Sequence, residues 1–105
     1  MSRFMRMLVF FDLPVMTKPQ RRAATAFRNF LLKDGYVMMQ YSVYVRHCPS
    51  KENADVHVKR VNTLIPIVGQ VSILSITDKQ YGDIINYNGK VIKSLPTAPR
   101  QLELF

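Results

Sequence analysis

Five consecutive apolar residues, Met7-Leu8-Val9-Phe10-Phe11, ended by Asp12 and Pro14, constrain this chain more than any other feature. The run is far short of the roughly 18 residues a membrane-spanning helix needs. The basic start before it, Ser2-Arg3-Phe4-Met5-Arg6, has the polarity of a secretory leader, yet the run is too short and no small-residue cleavage site follows. The expected element is a strand from about Arg6 to Asp12. Successive side chains of a strand point to opposite faces, so an unbroken apolar run needs cover on both. Helices can cover one face. In 105 residues the economical cover for the other is a second copy, packed sheet to sheet. A domain of this size buries only about two-thirds of its unfolded surface, which favours the same pairing.

The rest of the chain supplies the helices. Thr17 can cap a helix running to Asp34, with Pro19 in its first turn and Gly35 at its exit. At helical spacing Ala23, Ala24, Phe27, Phe30 and Leu31 share one side, and Lys18, Arg21, Arg22, Arg28, Asn29 and Lys33 share the other. The Val-, Tyr- and Met-rich stretch Tyr36 to Arg46 reads as two strands with a break near Gln40-Tyr41-Ser42. A second helix is expected from Ser50 to Ile65, with Ala54, Val58, Val61 and Ile65 as its stripe and Pro66 as its stop. Gly69 then opens a strand, Val71 to Thr77. A helical turn from Asp78 to Gly82, a brief strand from Ile84 to Tyr87 and an Asn88-Gly89 turn follow. The order predicts an α+β fold, a ferredoxin-like βαββαβ sandwich with an extra C-terminal strand. Right-handed crossovers put the first and third strands at the sheet centre and both helices on one face. Residues 1–88 are expected to form the domain. Residues 89–105, which end in Leu102-Glu103-Leu104-Phe105, would be a tail docking on the dimer mate or on a partner.

Charge narrows the function. Fifteen Lys and Arg against seven Asp and Glu give a net +8, which points to an anionic partner, most commonly nucleic acid. The outer side of the first helix carries five cations and no carboxylate before Asp34, so Lys18, Arg21, Arg22 and Arg28 are the candidate phosphate contacts. Arg46, Lys59 and Arg60 are weaker ones. No helix combines this charge with surface apolar anchors, which argues against a membrane partner. Tyr41 and Tyr44 read as core or interface, so recognition of backbone and shape is expected, with little base readout. Cys48 is the one cysteine, read as a small apolar residue in a reducing cytoplasm. His57 reads as packed beside its helix stripe, and neither His47 nor His57 has metal-ligand spacing with Cys48. Asp12 ends an apolar strand, where a carboxylate at the sheet rim can reach a cleft or simply cap the Leu13-Pro14 turn. One carboxylate is a poor metal site, but a two-fold dimer would supply two, and Mg²⁺ needs only one or two plus waters and phosphate.

Five segments in order resemble a known family, the second core CRISPR-associated adaptation protein. They are Val9-Phe10-Phe11-Asp12-Leu13-Pro14, Phe27-Arg28-Asn29-Phe30-Leu31, Gly35-Tyr36, Gln40-Tyr41-Ser42-Val43-Tyr44 and Thr77-Asp78-Lys79-Gln80-Tyr81. The last looks most like members from type II systems, which use a single large effector nuclease. The resemblance implies a cytoplasmic ferredoxin-like homodimer that bridges dimers of the CRISPR-associated integrase and holds double-stranded DNA for spacer integration. It also implies a second reading, an endonuclease dependent on Mg²⁺ or Mn²⁺ and acting on RNA or double-stranded DNA. Asp12 from both chains would then be the metal ligand and catalytic residue, and Gln40 and Ser42 would support the site or the dimer.

Overall fold

The computed structural model describes residues 4–96. Of the tail expected over residues 89–105 to dock on a neighbour, residues 97–105 lie outside the described residues. The elements run β1 (Met5–Asp12), α1 (Lys18–Lys33), β2 (Val37–Gln40), β3 (Val43–Cys48), α2 (Lys51–Asn62), β4 (Gln70–Thr77), α3 (Asp78–Gly82), β5 (Asn86–Asn88) and β6 (Val91–Lys93). The first four strands form one sheet in the order β2-β3-β1-β4, and every neighbouring pair is antiparallel. This is the expected ferredoxin-like arrangement, with β1 and β3 at the centre.

The apolar run of β1 is divided between two cores by its pleat. Met7, Val9 and Phe11 enter the main core with Phe27 and Leu31 of α1, Ala54 and Val61 of α2, and Tyr36, Tyr44 and Cys48. Leu8 faces the other way and meets Met39, Val45 and Tyr81, with Ile84 and Leu95 packed alongside. The chain after β4 therefore covers part of the second face. The rest of it is open. Phe10, Val37 and Leu74 are 39%, 41% and 47% exposed there. In the register Leu8 stands opposite both Val45 and Leu74, and Phe10 opposite Val43 and Ser72, so these residues share that face.

Local chemistry sets the element ends. Thr17 and Gln20 form a reciprocal capping box at the start of α1, and Ser50 caps α2. The second helix stops at Asn62, short of the expected Ile65. Pro66 explains this: its ring would clash with the Asn62 carbonyl and drives Ile65 out of the helical region. The single extra strand expected near Ile84 is instead a hairpin of β5 and β6 across the Asn88-Gly89 turn. No helix of the described residues is long and apolar enough to cross a membrane.

Gly69 joins the α2–β4 loop to the end of β1. Its φ is +108°, and a Cβ there would lie 2.8 Å from the Asp12 carbonyl oxygen and from Leu13 Cδ2. Backbone cannot yield as a side-chain tip does, and side chains rarely adopt this φ. Gly69→Ala is expected to cost about 2 kcal/mol of stability, read as a lower urea midpoint at an unchanged m-value. A loss under about 0.5 kcal/mol would mean that the loop moves freely past Asp12.

Candidate functional site

Asp12 ends β1 at the rim of the sheet, as the strand pattern required. Its carboxylate is exposed, and no hydrogen bond or ion pair among the described residues engages it. It lines a shallow cleft of about 290 Å³ with Phe10, Tyr41, Ser42, Gln70 and Ser72. The strands dictate this grouping. Asp12 pairs with Gln70 and Phe10 with Ser72, and the β2–β3 turn reaches in from the other side. Gln40 faces solvent at the end of β2 and does not line the cleft. Of the two expected supporting residues, only Ser42 is beside Asp12.

The β2–β3 turn is tight and held against β1. Ser42 sits at φ +63°, the one non-glycine at positive φ among the described residues, and its carbonyl accepts from the Phe11 amide at 3.1 Å. A left-handed L-residue costs roughly 1–2 kcal/mol, and the surrounding ladder maintains it. Tyr44 is buried and stacks on Phe11 at 5.7 Å, as a core residue should. Tyr41 is different. It is 81% exposed at the turn's tip, not in the core.

The outer face of α1 brings Lys18, Arg21 and Arg22 around a shallow surface hollow with Thr25 and Asn29. Arg21 also acts locally. Its Nη1 donates to the carbonyls of Val15 and Met16, both at 3.2 Å, and so ties the β1–α1 loop to the helix. Arg28 lies outside the hollow and donates to Thr25 Oγ1 at 3.3 Å. Ala23, expected in the core, is exposed and lines an apolar cleft with Pro19, Ile65 and Val68.

Two polar knots were not legible as such. Arg6 is buried within the second face. Its Nε donates to Asp78 Oδ1 at 2.8 Å, and its guanidinium lies 4.5 Å from the centre of the Tyr81 ring. The Tyr81 hydroxyl donates to the Pro96 carbonyl at 2.8 Å. Burial pushes that hydroxyl above the ordinary tyrosine range, against the lowering effect of Arg6. At the far end of α1, His57 Nδ1 lies 2.6 Å from Asp34 Oδ2, while Arg60 donates to Asp34 Oδ1 at 2.9 Å. His57 is thus a packed histidine, and Arg60 is engaged with a carboxylate. Arg46 is engaged as well, donating to the Asp34 carbonyl at 2.7 Å. Cys48 is buried, and burial raises its thiol above the usual range despite the nearby Arg46 cation, so it behaves as a core residue. The partners of Arg6 and Asp34 are 72 and 23 residues away, beyond the reach of any local pattern.

Among the described residues no cluster of three or more His, Cys, Asp or Glu could hold a metal. One chain therefore offers one exposed carboxylate at its cleft.

Fold and site together define a small ferredoxin-like α+β protein with a partly open sheet face, a lone carboxylate at one end of it and a cationic helix. Residues 5–84 match the family described as CRISPR associated protein Cas2, and the chain belongs to that family. It is 50% identical over 101 residues to the CRISPR-associated endoribonuclease Cas2 of Parvibaculum lavamentivorans, covering 96% of this chain and all of the relative. The proteins of the same name from Flavobacterium psychrophilum and Paracidovorax avenae are 45% and 46% identical over 98% of this chain, and over 90% and 95% of their own lengths.

Proposed function

We propose that the chain acts in CRISPR adaptation as a cytoplasmic homodimer that bridges dimers of the integrase and holds duplex DNA for spacer integration. The observation that carries this reading is the open part of the sheet face. Phe10, Val37 and Leu74 are half-exposed on an otherwise packed sheet, and a second copy of the same face would cover them. A dimer so formed doubles the cationic α1 surfaces, and phosphate contacts from Lys18, Arg21, Arg22 and Arg28 would follow a duplex backbone.

Phosphodiester hydrolysis, on RNA or double-stranded DNA, is the second activity we propose. It is favoured by the unengaged Asp12 carboxylate and by the endoribonuclease name its relatives carry. Asp12 of the two chains would hold Mg²⁺ or Mn²⁺ between them. The metal, when bound, supplies Lewis-acid polarisation of the phosphoryl oxygen and a more acidic water. Asp12 contributes negative charge at a rim open to substrate, and Ser42 fixes the turn beside it.

Spacer integration in a purified system separates the two roles. It would contain the cognate integrase, a donor duplex, a repeat-bearing target and either wild-type protein or Asp12→Ala. The expected result is integration within about twofold of wild type, with any metal-dependent cleavage reduced by at least about 100-fold. If integration collapses while dimer and DNA binding persist, Asp12 is part of the integration step and the scaffold reading fails.

A further inference from the structure

Arg6 has more donors than the fold around it uses. Its side chain is only 5% exposed, and a guanidinium carries several N–H groups on its Nε and two Nη atoms. The Nε donates to Asp78 Oδ1, and the Tyr81 ring covers one face. Neither Nη makes a hydrogen bond with a described residue. Buried donors are nearly always met, so this edge of the side chain calls for an acceptor that the described residues do not supply.

The space for one is beside it. Arg6 lines a cavity of about 570 Å³, within the roughly 300–1,000 Å³ typical of small-molecule sites. Its other walls come from α3, the β5–β6 hairpin and the chain that follows. Ile84, Ile85, Ile92 and Leu95 make much of the lining apolar, and Lys93 adds a second cation. Two cations against the single carboxylate of Asp78 leave one positive charge in excess. Water alone suits such a cavity poorly, because apolar walls give it few partners. A monoanion with an apolar body suits both the charge and the walls. A carboxylate supplies the one negative charge, and its two oxygens match two N–H groups of a guanidinium. A second copy on the open sheet would not fill this cavity. Phe10, Val37 and Leu74, which that copy would cover, do not line it.

We propose that this cavity binds a carboxylate on an apolar body, the acid on the Nη edge of Arg6 and the body against the hairpin. The chain carries one such group in its own sequence, Glu103 between Leu102 and Leu104, a few residues beyond Pro96. The same chemistry therefore has two sources, that segment and a separate small acid, and a titration distinguishes them.

The experiment is an NMR titration of the full chain with hexanoate, hexanol and inorganic phosphate, followed by amide shifts. Hexanoate is expected to bind with a Kd of about 1 mM or tighter. The alcohol and phosphate should bind at least about tenfold more weakly. Arg6→Met/Asp78→Ala, its fold verified by melting, should weaken hexanoate at least about tenfold. Ile92→Asp should do the same with little change in melting, because Ile92 is a wall residue that is 68% exposed. Leu74→Asp should bind hexanoate like wild type. Glu103→Gln decides the source. Hexanoate binding tightened about fivefold or more shows that this segment competes for the cavity, and an unchanged Kd assigns the cavity to a separate acid. Failure of both wild type and Glu103→Gln to bind hexanoate would overturn the proposal. So would hexanol binding as tightly as hexanoate, or wild-type affinity in Arg6→Met/Asp78→Ala or in Ile92→Asp. Loss of binding in Leu74→Asp would place the acid at the contact between copies and would overturn it as well.

Discussion

Asp78→Ala is expected to lower the stability of the folded chain by about 3 kcal/mol, a large effect for a single side chain. Arg6 is only 5% exposed as a side chain, and its ion partner Asp78 is 30% exposed. Removing the carboxylate leaves a guanidinium inside the sheet with the Tyr81 ring as its remaining partner. Breaking a buried pair costs roughly 3–5 kcal/mol, and the part exposure of Asp78 places this one at the low end. Asp78 begins α3, and its backbone amide, which the substitution keeps, donates to the Phe4 carbonyl at 3.0 Å, so the expected loss is that of the side-chain pair alone. At about 4–8 °C per kcal/mol for a domain of this size, melting should fall by on the order of 10–20 °C. The double variant Arg6→Met/Asp78→Ala should recover part of the loss, because an apolar side chain leaves no charge stranded. A double variant no more stable than the single one would show that packing, and not the stranded charge, sets the cost.

The same residues show how far a sequence can be read. Periodicity places β1, α1 and β4 within a residue or two, because apolar spacing is local and the caps Thr17 and Ser50 are written beside the helices they start. Pro66 signals the stop of α2 but not its position, since its steric effect reaches four residues back to Asn62. Asp12 is legible because it interrupts an apolar strand. The basic stripe of α1 is legible because helical geometry gathers residues three and four apart. What joins Asp12 to Tyr41, Gln70 and Ser72 is strand register, and register depends on pairings tens of residues apart. Tyr41 resembles a core residue because a strand-former in a Val- and Tyr-rich stretch usually is one. The two-residue turn that exposes it carries a left-handed serine where sequence rules expect glycine or asparagine. Arg6 stands in the sequence as part of a basic start. Its burial follows from facing the interior of the second face, where Tyr81 and Asp78 from the other end of the domain meet it.

Leu74→Asp is expected to convert the proposed dimer to a monomer without unfolding it. Leu74 is 47% exposed on β4, opposite Leu8, in the part of the sheet face that α3 and the following chain leave open. At a half-exposed strand position the charge remains hydrated in the monomer, so its folding cost should be below about 1 kcal/mol. In a sheet-to-sheet dimer the same charge would be buried without a partner. That costs several kcal/mol, or at least about 100-fold in dimer affinity. Light scattering at matched concentrations reads the state, and melting curves verify the fold. Ile67→Asp is the control, because Ile67 stands fully exposed in the α2–β4 loop beside the apolar cleft at Pro19 and Ala23. Should Ile67→Asp give the monomer while Leu74→Asp stays dimeric, the copies would meet through that loop and not through the sheet. Duplex affinity then discriminates further. A sheet-to-sheet dimer joins two α1 surfaces on one ligand, so a monomeric Leu74→Asp should lose most of the avidity that two linked sites provide. A monomer that held duplex DNA as tightly as wild type would show that one α1 face suffices, and the bridging role would lose its physical basis.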